Sequence, residues 1–85
     1  MKILVTGGSG FIGTNFINFL QKKSCSICNF DINEPQNIKH SRYFERIDIN
    51  NYESLLSAMI DFQPDYVVHL AARTDLNGED LNSYL

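Results

Sequence analysis

The sequence predicts an α/β fold, a doubly wound parallel sheet of about four strands in the order 3-2-1-4 with helices on both faces. Three observations predict it. Short β-rich apolar runs alternate with stretches of helical periodicity along the chain. A glycine-rich turn, Thr6-Gly7-Gly8-Ser9-Gly10-Phe11-Ile12-Gly13, separates the first run from the first helical stretch. Acids stand where the second and third runs end, at Asp31 and Asp48. Parallel strands joined by right-handed crossovers give the stated order.

Each element has its own signal. Lys2 to Thr6 is an apolar run cut off by glycines, the mark of a strand covered on both faces. Phe11 to about Lys23 places Ile12, Phe16, Phe19 and Leu20 at helical spacing, with Lys22 and Lys23 in the last turn beside the negative end of the helix dipole. Cys25 to Phe30 is a second strand ending at Asp31. Residues 31–42 are polar, contain Pro35 and read as a loop. Tyr43 to Ile47 is a third strand leading into Asp48-Ile49. Asn50 is placed to cap the next helix, with Glu53 three residues on as in a capping box. That helix carries Leu55, Leu56, Met59 and Ile60 and stops before Pro64. Asp65 to Leu70 is a fourth strand and residues 73–78 a polar loop. From Glu79, Leu81, Tyr84 and Leu85 begin another helix that is not completed at Leu85.

Composition excludes several classes. The 85 residues are 44% hydrophobic and carry a net charge of −3, too apolar and too weakly charged for a disordered chain. Ten Asp and Glu against seven Lys and Arg argue against a protein that wraps nucleic acid through its phosphates. The longest apolar runs fall far short of the ~20 residues of a membrane span, and of the roughly 7–15 of a signal peptide's apolar region. A cytoplasmic location fits, with neither membrane nor nucleic acid among the partners. Cys25 and Cys28 have Cys-x-x-Cys spacing, but strand residues three apart point to opposite faces, so they read as core thiols. No cluster has zinc-ligand spacing, and no metal site is expected. His69 reads as a packed strand residue, and His40 as a loop residue with no partner in the sequence. Phe11, Phe16, Phe19, Phe30 and Phe62 read as core or helix-packing aromatics.

The chemistry is concentrated in the glycine turn. Gly7 permits the tight turn off the strand, Gly10 lets backbone amides approach a pyrophosphate, and Gly13 lets the helix pack closely. The free N–H groups and dipole of the helix favour the anion. Asp31 stands about 20 residues along, at the tip of the second strand, where a carboxylate accepts hydrogen bonds from the ribose hydroxyls of a dinucleotide. It would repel a 2′-phosphate, favouring NAD over NADP, while Lys39 and Arg42 on the same loop would soften that preference. An ordinary loop aspartate remains the alternative for Asp31. For Asp48 the residues alone leave open an acid on the ligand-binding edge of the sheet or a capping carboxylate.

Together TGGSGFIG, Asp31, Asp48-Ile49 and His69-Leu70-Ala71-Ala72 resemble the extended short-chain dehydrogenases, specifically the NAD-dependent nucleotide-sugar epimerase/dehydratase group. The resemblance runs in matching order over the whole chain and implies the N-terminal portion of a Rossmann-like NAD-binding domain, with the substrate domain absent. It implies that Gly7, Gly10 and Gly13 hold the pyrophosphate with Phe11 and Ile12 beside it. It implies further that Asp31 binds ribose, that Asp48 contacts the adenine amino group with Ile49 next to the ring, and that Leu70, Ala71 and Ala72 pass close to the cofactor. Arg73 and Thr74 follow that turn directly. Catalysis in this family uses a Tyr-x-x-x-Lys pair with a Ser or Thr, the lysine lowering the tyrosine pKa. No lysine here lies four residues after a tyrosine, so no catalytic residue is assigned. Two functions of different class follow. The chain is the truncated first part of an NAD-dependent epimerase or dehydratase, taking its nucleotide sugar only in the intact enzyme, or it is a stand-alone nucleotide-binding module working with a partner. In a truncated sheet the fourth strand presents an open edge, which predicts strand-edge self-association.

Overall fold

The computed structural model describes residues 1–71. Ala72, Arg73, Thr74, the 73–78 loop and the helix expected from Glu79 lie outside the described residues. Four parallel strands form one sheet in the order β3-β2-β1-β4, as the sequence predicts. They are β1 (Lys2–Thr6), β2 (Ser26–Asp31), β3 (Phe44–Arg46) and β4 (Tyr66–His69), and the helices are α1 (Phe11–Leu20) and α2 (Tyr52–Phe62).

The alternation of strand side chains sorts the core into two layers. On one face Val5 and Ile27 pack against Ile17 and Leu20 of α1, with Cys25 at the margin. On the other, Leu4 and Phe30 pack against Ala58 of α2, with Cys28 and Phe62 beside them. Leu4, Val5, Ile17 and Phe30 are completely buried, each contributing about 1.5–3 kcal/mol of hydrophobic stabilisation. The two thiols, both free and half-buried, therefore belong to opposite layers.

Several expected details differ. Helix α1 ends at Leu20, and Lys22 and Lys23 lie beyond it. Their N–H groups bond to Phe19 and Leu20 three residues back, which tightens the chain into the reversal that feeds β2. The 31–42 segment is not all loop, because a 3-10 helix spans Ile38–Tyr43. Asn37 caps it, its side chain accepting from the Lys39 N–H at 2.9 Å. Its only buried residue is His40, so no apolar pattern announced it. The cap of α2 is Asn51, which accepts from the Ser54 N–H at 3.2 Å. Asn50 instead gives its N–H to the Asp48 carboxylate at 2.9 Å, in a turn one residue earlier. Glu53 consequently sits too early for a capping box, though within the first turn, where its charge suits the dipole. The sheet-facing stripe of α2 is Leu55, Ala58, Met59 and Phe62, while Leu56 and Ile60 are exposed. Ala58 is the buried residue of α2, against Leu4 and Phe30. Phe11 and Phe19 are also exposed, against the expectation that they pack.

Candidate functional site

Parallel strands all end on the same edge of a sheet, so the loops leaving them converge. Here they enclose a cleft of about 500 Å³. Gly7, Ser9 and Gly10 line it after β1, and Asp31 to Glu34 after β2. Asp48 to Asn50 line it after β3, and Leu70 and Ala71 after β4.

The glycine turn forms the floor, and its glycines do different things. Gly7 has φ +77°, a left-handed conformation that favours glycine, and an added Cβ would stand 2.5 Å from the Ala71 nitrogen. At Gly13 a Cβ would meet Gly8 Cα at 2.4 Å and the Gly7 carbonyl oxygen at 2.5 Å, so α1 closes directly onto the turn. Gly10 is unlike both, since a Cβ there would find only the Gly7 oxygen, at 3.7 Å. Among the described residues nothing demands glycine at position 10. Gly10 also lines the cleft.

Gly10 is also the N-cap of α1, with no side-chain cap and no acid in the first turn. The N–H groups of Phe11 and Ile12 have no partner among the described residues. A helix end with free donors and the positive pole of its dipole attracts an anion. The Phe11 and Ile12 side chains are exposed and do not line the cleft, and Gly13 lies under the turn. These three residues can contribute through their backbone alone.

Asp31 ends β2 at the cleft wall. One carboxylate oxygen accepts from the Ser9 N–H and the other from the Asn33 N–H, both at 3.0 Å. A carboxylate has about four lone-pair sites, so acceptor capacity remains for hydroxyl donors. Asp48 faces the cleft from the β3 side with Ile49 next to it. Lys39 and Arg42 do not line the cleft, and the Arg42 guanidinium lies over the Tyr43 ring at 4.9 Å. The described lining holds acids and no base.

The site residues expected at positions 7, 10, 31, 48, 49, 70 and 71 are thus brought together, while Ala72 lies outside the described residues. Sequence reasoning missed Gly8, Ser9 and Asn29. Gly8 and Ser9 are buried, and Asn29 is buried beneath them. Asn29 had a signal, a lone amide inside an apolar strand. The histidines also differ from expectation. His69 is a strand residue, the last of β4 and paired with Thr6 in the sheet, but its side chain is exposed, with Nδ1 against the Thr6 hydroxyl. His40 is fully buried, its Nε2 bonded to Asn18 Oδ1 at 2.8 Å, and burial holds its pKa below the ordinary value. Burial and the Glu45 carboxylate raise the Cys28 thiol to about 11, so it is not a poised nucleophile. Among the described residues no cluster could hold a metal ion, and no helix is long and apolar enough to cross a membrane.

Residues 3–83 match the model of the NAD dependent epimerase/dehydratase family. The chain belongs to that family. It is 40% identical to a GDP-6-deoxy-D-talose 4-dehydrogenase of Aggregatibacter actinomycetemcomitans, over 100% of this chain and 26% of the relative. It is 33% identical to a probable dTDP-glucose 4,6-dehydratase of Sinorhizobium fredii, over 91% of this chain and 25% of the relative. Among solved structures, a Thermus thermophilus UDP-glucose 4-epimerase in complex with NAD superposes with a TM-score of 0.75 at 30% identity, over 86% of this chain and 24% of the other. The chain spans about a quarter of the length of the curated relatives it matches. The four-stranded sheet, in the order β3-β2-β1-β4, is accordingly the Rossmann-like sheet of these enzymes.

Proposed function

We propose that this chain forms the adenosine–pyrophosphate half of an NAD site, as the N-terminal portion of the NAD-binding domain of a nucleotide-sugar epimerase or dehydratase. The observation that carries the proposal is the position of Gly10. It is at once the uncapped N-terminus of a helix and part of the cleft lining, with no described atom crowding its Cβ position, and Asp31 lines the same cleft. NAD itself, when bound, accepts a hydride from a carbon bearing a sugar hydroxyl.

The residues of this chain fit the cofactor in sequence. The Phe11 and Ile12 N–H groups would receive the pyrophosphate, with the α1 dipole favouring its charge. Asp31 would accept from the ribose hydroxyls and repel a 2′-phosphate, which makes NAD the cofactor rather than NADP. Asp48 and Ile49 would contact the adenine amino group and ring, and Leu70 and Ala71 close the far side of the cleft. The substrate-binding part and the Tyr-x-x-x-Lys pair would come from outside these 85 residues. This accords with the quarter-length match and with the absence of the pair from the sequence.

Calorimetric titration of the chain with NAD, ADP-ribose and AMP tests the proposal. Heat is expected from all three, and NADP is expected to bind at least about tenfold more weakly than NAD. No heat from any of the three would reject it. For the longer enzyme, a reading frame that continues past Leu85 to a Tyr-x-x-x-Lys supports the assignment, and one without it rejects it. Strand β4 pairs only with β1 among the described residues, and Tyr66 and Val67 are exposed on it. Self-association through that edge is part of the same proposal and would show as concentration-dependent sedimentation.

A further inference from the structure

Asn29 is a buried amide that the function proposed above does not use. It lies on β2 two residues before Asp31, so both point to the α1 side of the sheet. Its side chain is fully buried. Oδ1 accepts from the Gly8 N–H at 2.8 Å, and Nδ2 donates to Ser9 Oγ at 3.1 Å. Both ends of the amide are thus satisfied, and both by the glycine turn, as a buried amide requires. The fit is close on the other side too, since a Cβ on Gly8 would stand 2.6 Å from the Asn29 side chain.

These bonds decide which amides can meet an anion. Within the turn, Gly7 gives its N–H to the Phe30 carbonyl at 2.9 Å, and Gly10 gives its own to the Gly7 carbonyl at 3.4 Å. Gly8 gives its N–H to Asn29 and Ser9 to Asp31. The turn is therefore closed on itself and on β2, and the first donors left free are those at the start of α1. We infer that Asn29 is a positioning residue for the pyrophosphate. By drawing Gly8 and Ser9 down onto β2, it keeps the turn out of the anion's path and fixes the α1 N-terminus relative to Asp31. An apolar side chain of the same size would leave the Gly8 N–H buried without a partner, and the peptide would have to rise into the cleft to recover one. The inference rests on the NAD reading and adds to it a residue that touches no ligand.

ADP-ribose and adenosine together separate this role from general support of the fold, because only ADP-ribose carries the pyrophosphate. Calorimetry on the 85-residue chain is expected to show Asn29→Leu weakening ADP-ribose by about tenfold or more, with adenosine within about twofold of wild type. Asn29→Asp keeps the shape and the acceptor for Gly8, but places an ionisable carboxyl under the turn beside Asp31. Between about pH 5 and about pH 9 its affinity for ADP-ribose is expected to fall about tenfold relative to wild type, with adenosine unmoved. The inference is overturned if Asn29→Leu keeps a cooperative thermal transition and either binds ADP-ribose as wild type does or loses both ligands equally. Should Asn29→Leu fail to fold, Asn29→Asp decides alone, and a ratio of the two affinities that does not change with pH overturns the inference. Wild-type chain that binds neither ligand rejects the NAD reading and the inference with it. Wild-type binding with an unaffected, folded Asn29→Leu rejects the inference only.

Discussion

The two helices begin in opposite ways. Helix α2 opens with Asn51, whose side chain accepts from the Ser54 N–H, and with Glu53 in its first turn. Helix α1 opens with Gly10, no side-chain cap and no acid in its first turn. The third helical position repeats the contrast. It is Gly13 in α1, pressed onto the backbone of Gly7 and Gly8, and Ser54 in α2, where a side chain is accommodated. A helix that has only to start satisfies its first donors from its own chain. One that is to receive an anion leaves them free, and its stability must come from elsewhere. In α1 it comes from Ile17 and Leu20 in the core and from the close approach at Gly13.

The largest way to break the comparison is at that third position. Gly13→Ala places a methyl group against two backbone segments that cannot retract, and should cost about 3 kcal/mol or more in urea unfolding. Ser54→Ala, the matching change in α2, should cost no more than about 0.5 kcal/mol. Equal effects would show that the two helix starts are alike.

Gly10→Asp converts the open end into a capped one. Position 10 is extended, at φ −78° and ψ −178°, and has room for a side chain. The chain should gain about 0.5 kcal/mol of stability while ADP-ribose affinity falls about tenfold or more. Stability and binding moving in the same direction would refute this division of labour between the two helix starts. Asn51→Ala makes the reverse test on α2. A loss of about 1 kcal/mol is expected, with ADP-ribose affinity within about twofold of wild type.

The smallest effect concerns the 3-10 helix held on α1 through His40 and Asn18. Asn18 Oδ1 can only accept, so Nε2 carries the proton of the neutral ring. Nδ1 is buried without a partner, and a proton added there would be stranded. Burial keeps the folded-state pKa below the ordinary 6.5. Above that value both states are neutral and this group adds no slope. As pH falls through it the unfolded chain takes up the proton first, so stability declines until the folded-state pKa is passed. Urea midpoints measured from about pH 7.5 down to about pH 5 should fall more steeply for wild type than for His40→Gln. Parallel slopes would remove His40 as the cause.

Much of this arrangement was legible in the residues. An unbroken apolar β1, a glycine turn and a periodic helix leave little freedom in the strand–turn–helix unit, and Asp31 follows from where β2 must end. Other features were hidden because their signals are weak or shared. Two adjacent asparagines could each cap α2, and only the turn made by Asp48 and Asn50 gives the role to Asn51. The large residues of α2 suggest a stripe through Leu56 and Ile60, yet these are exposed and small Ala58 is the buried position. The 3-10 helix is anchored by a polar side chain, which no hydrophobic pattern reports.

The sequence by itself determined the order of the elements, the glycine turn and the acids at the strand ends, because these follow from local backbone sterics and from the periods of strand and helix. Only the tertiary structure decided which amides stay free. Gly8 and Ser9 lose their N–H groups to Asn29 and Asp31, more than twenty positions along the chain. That exchange exists only once β2 lies beside β1 in parallel register, with Val5 opposite Asn29. Hydrogen bonding is directional and short-ranged, so a donor's partner is fixed by the packing that brings the two together, whatever their distance in sequence.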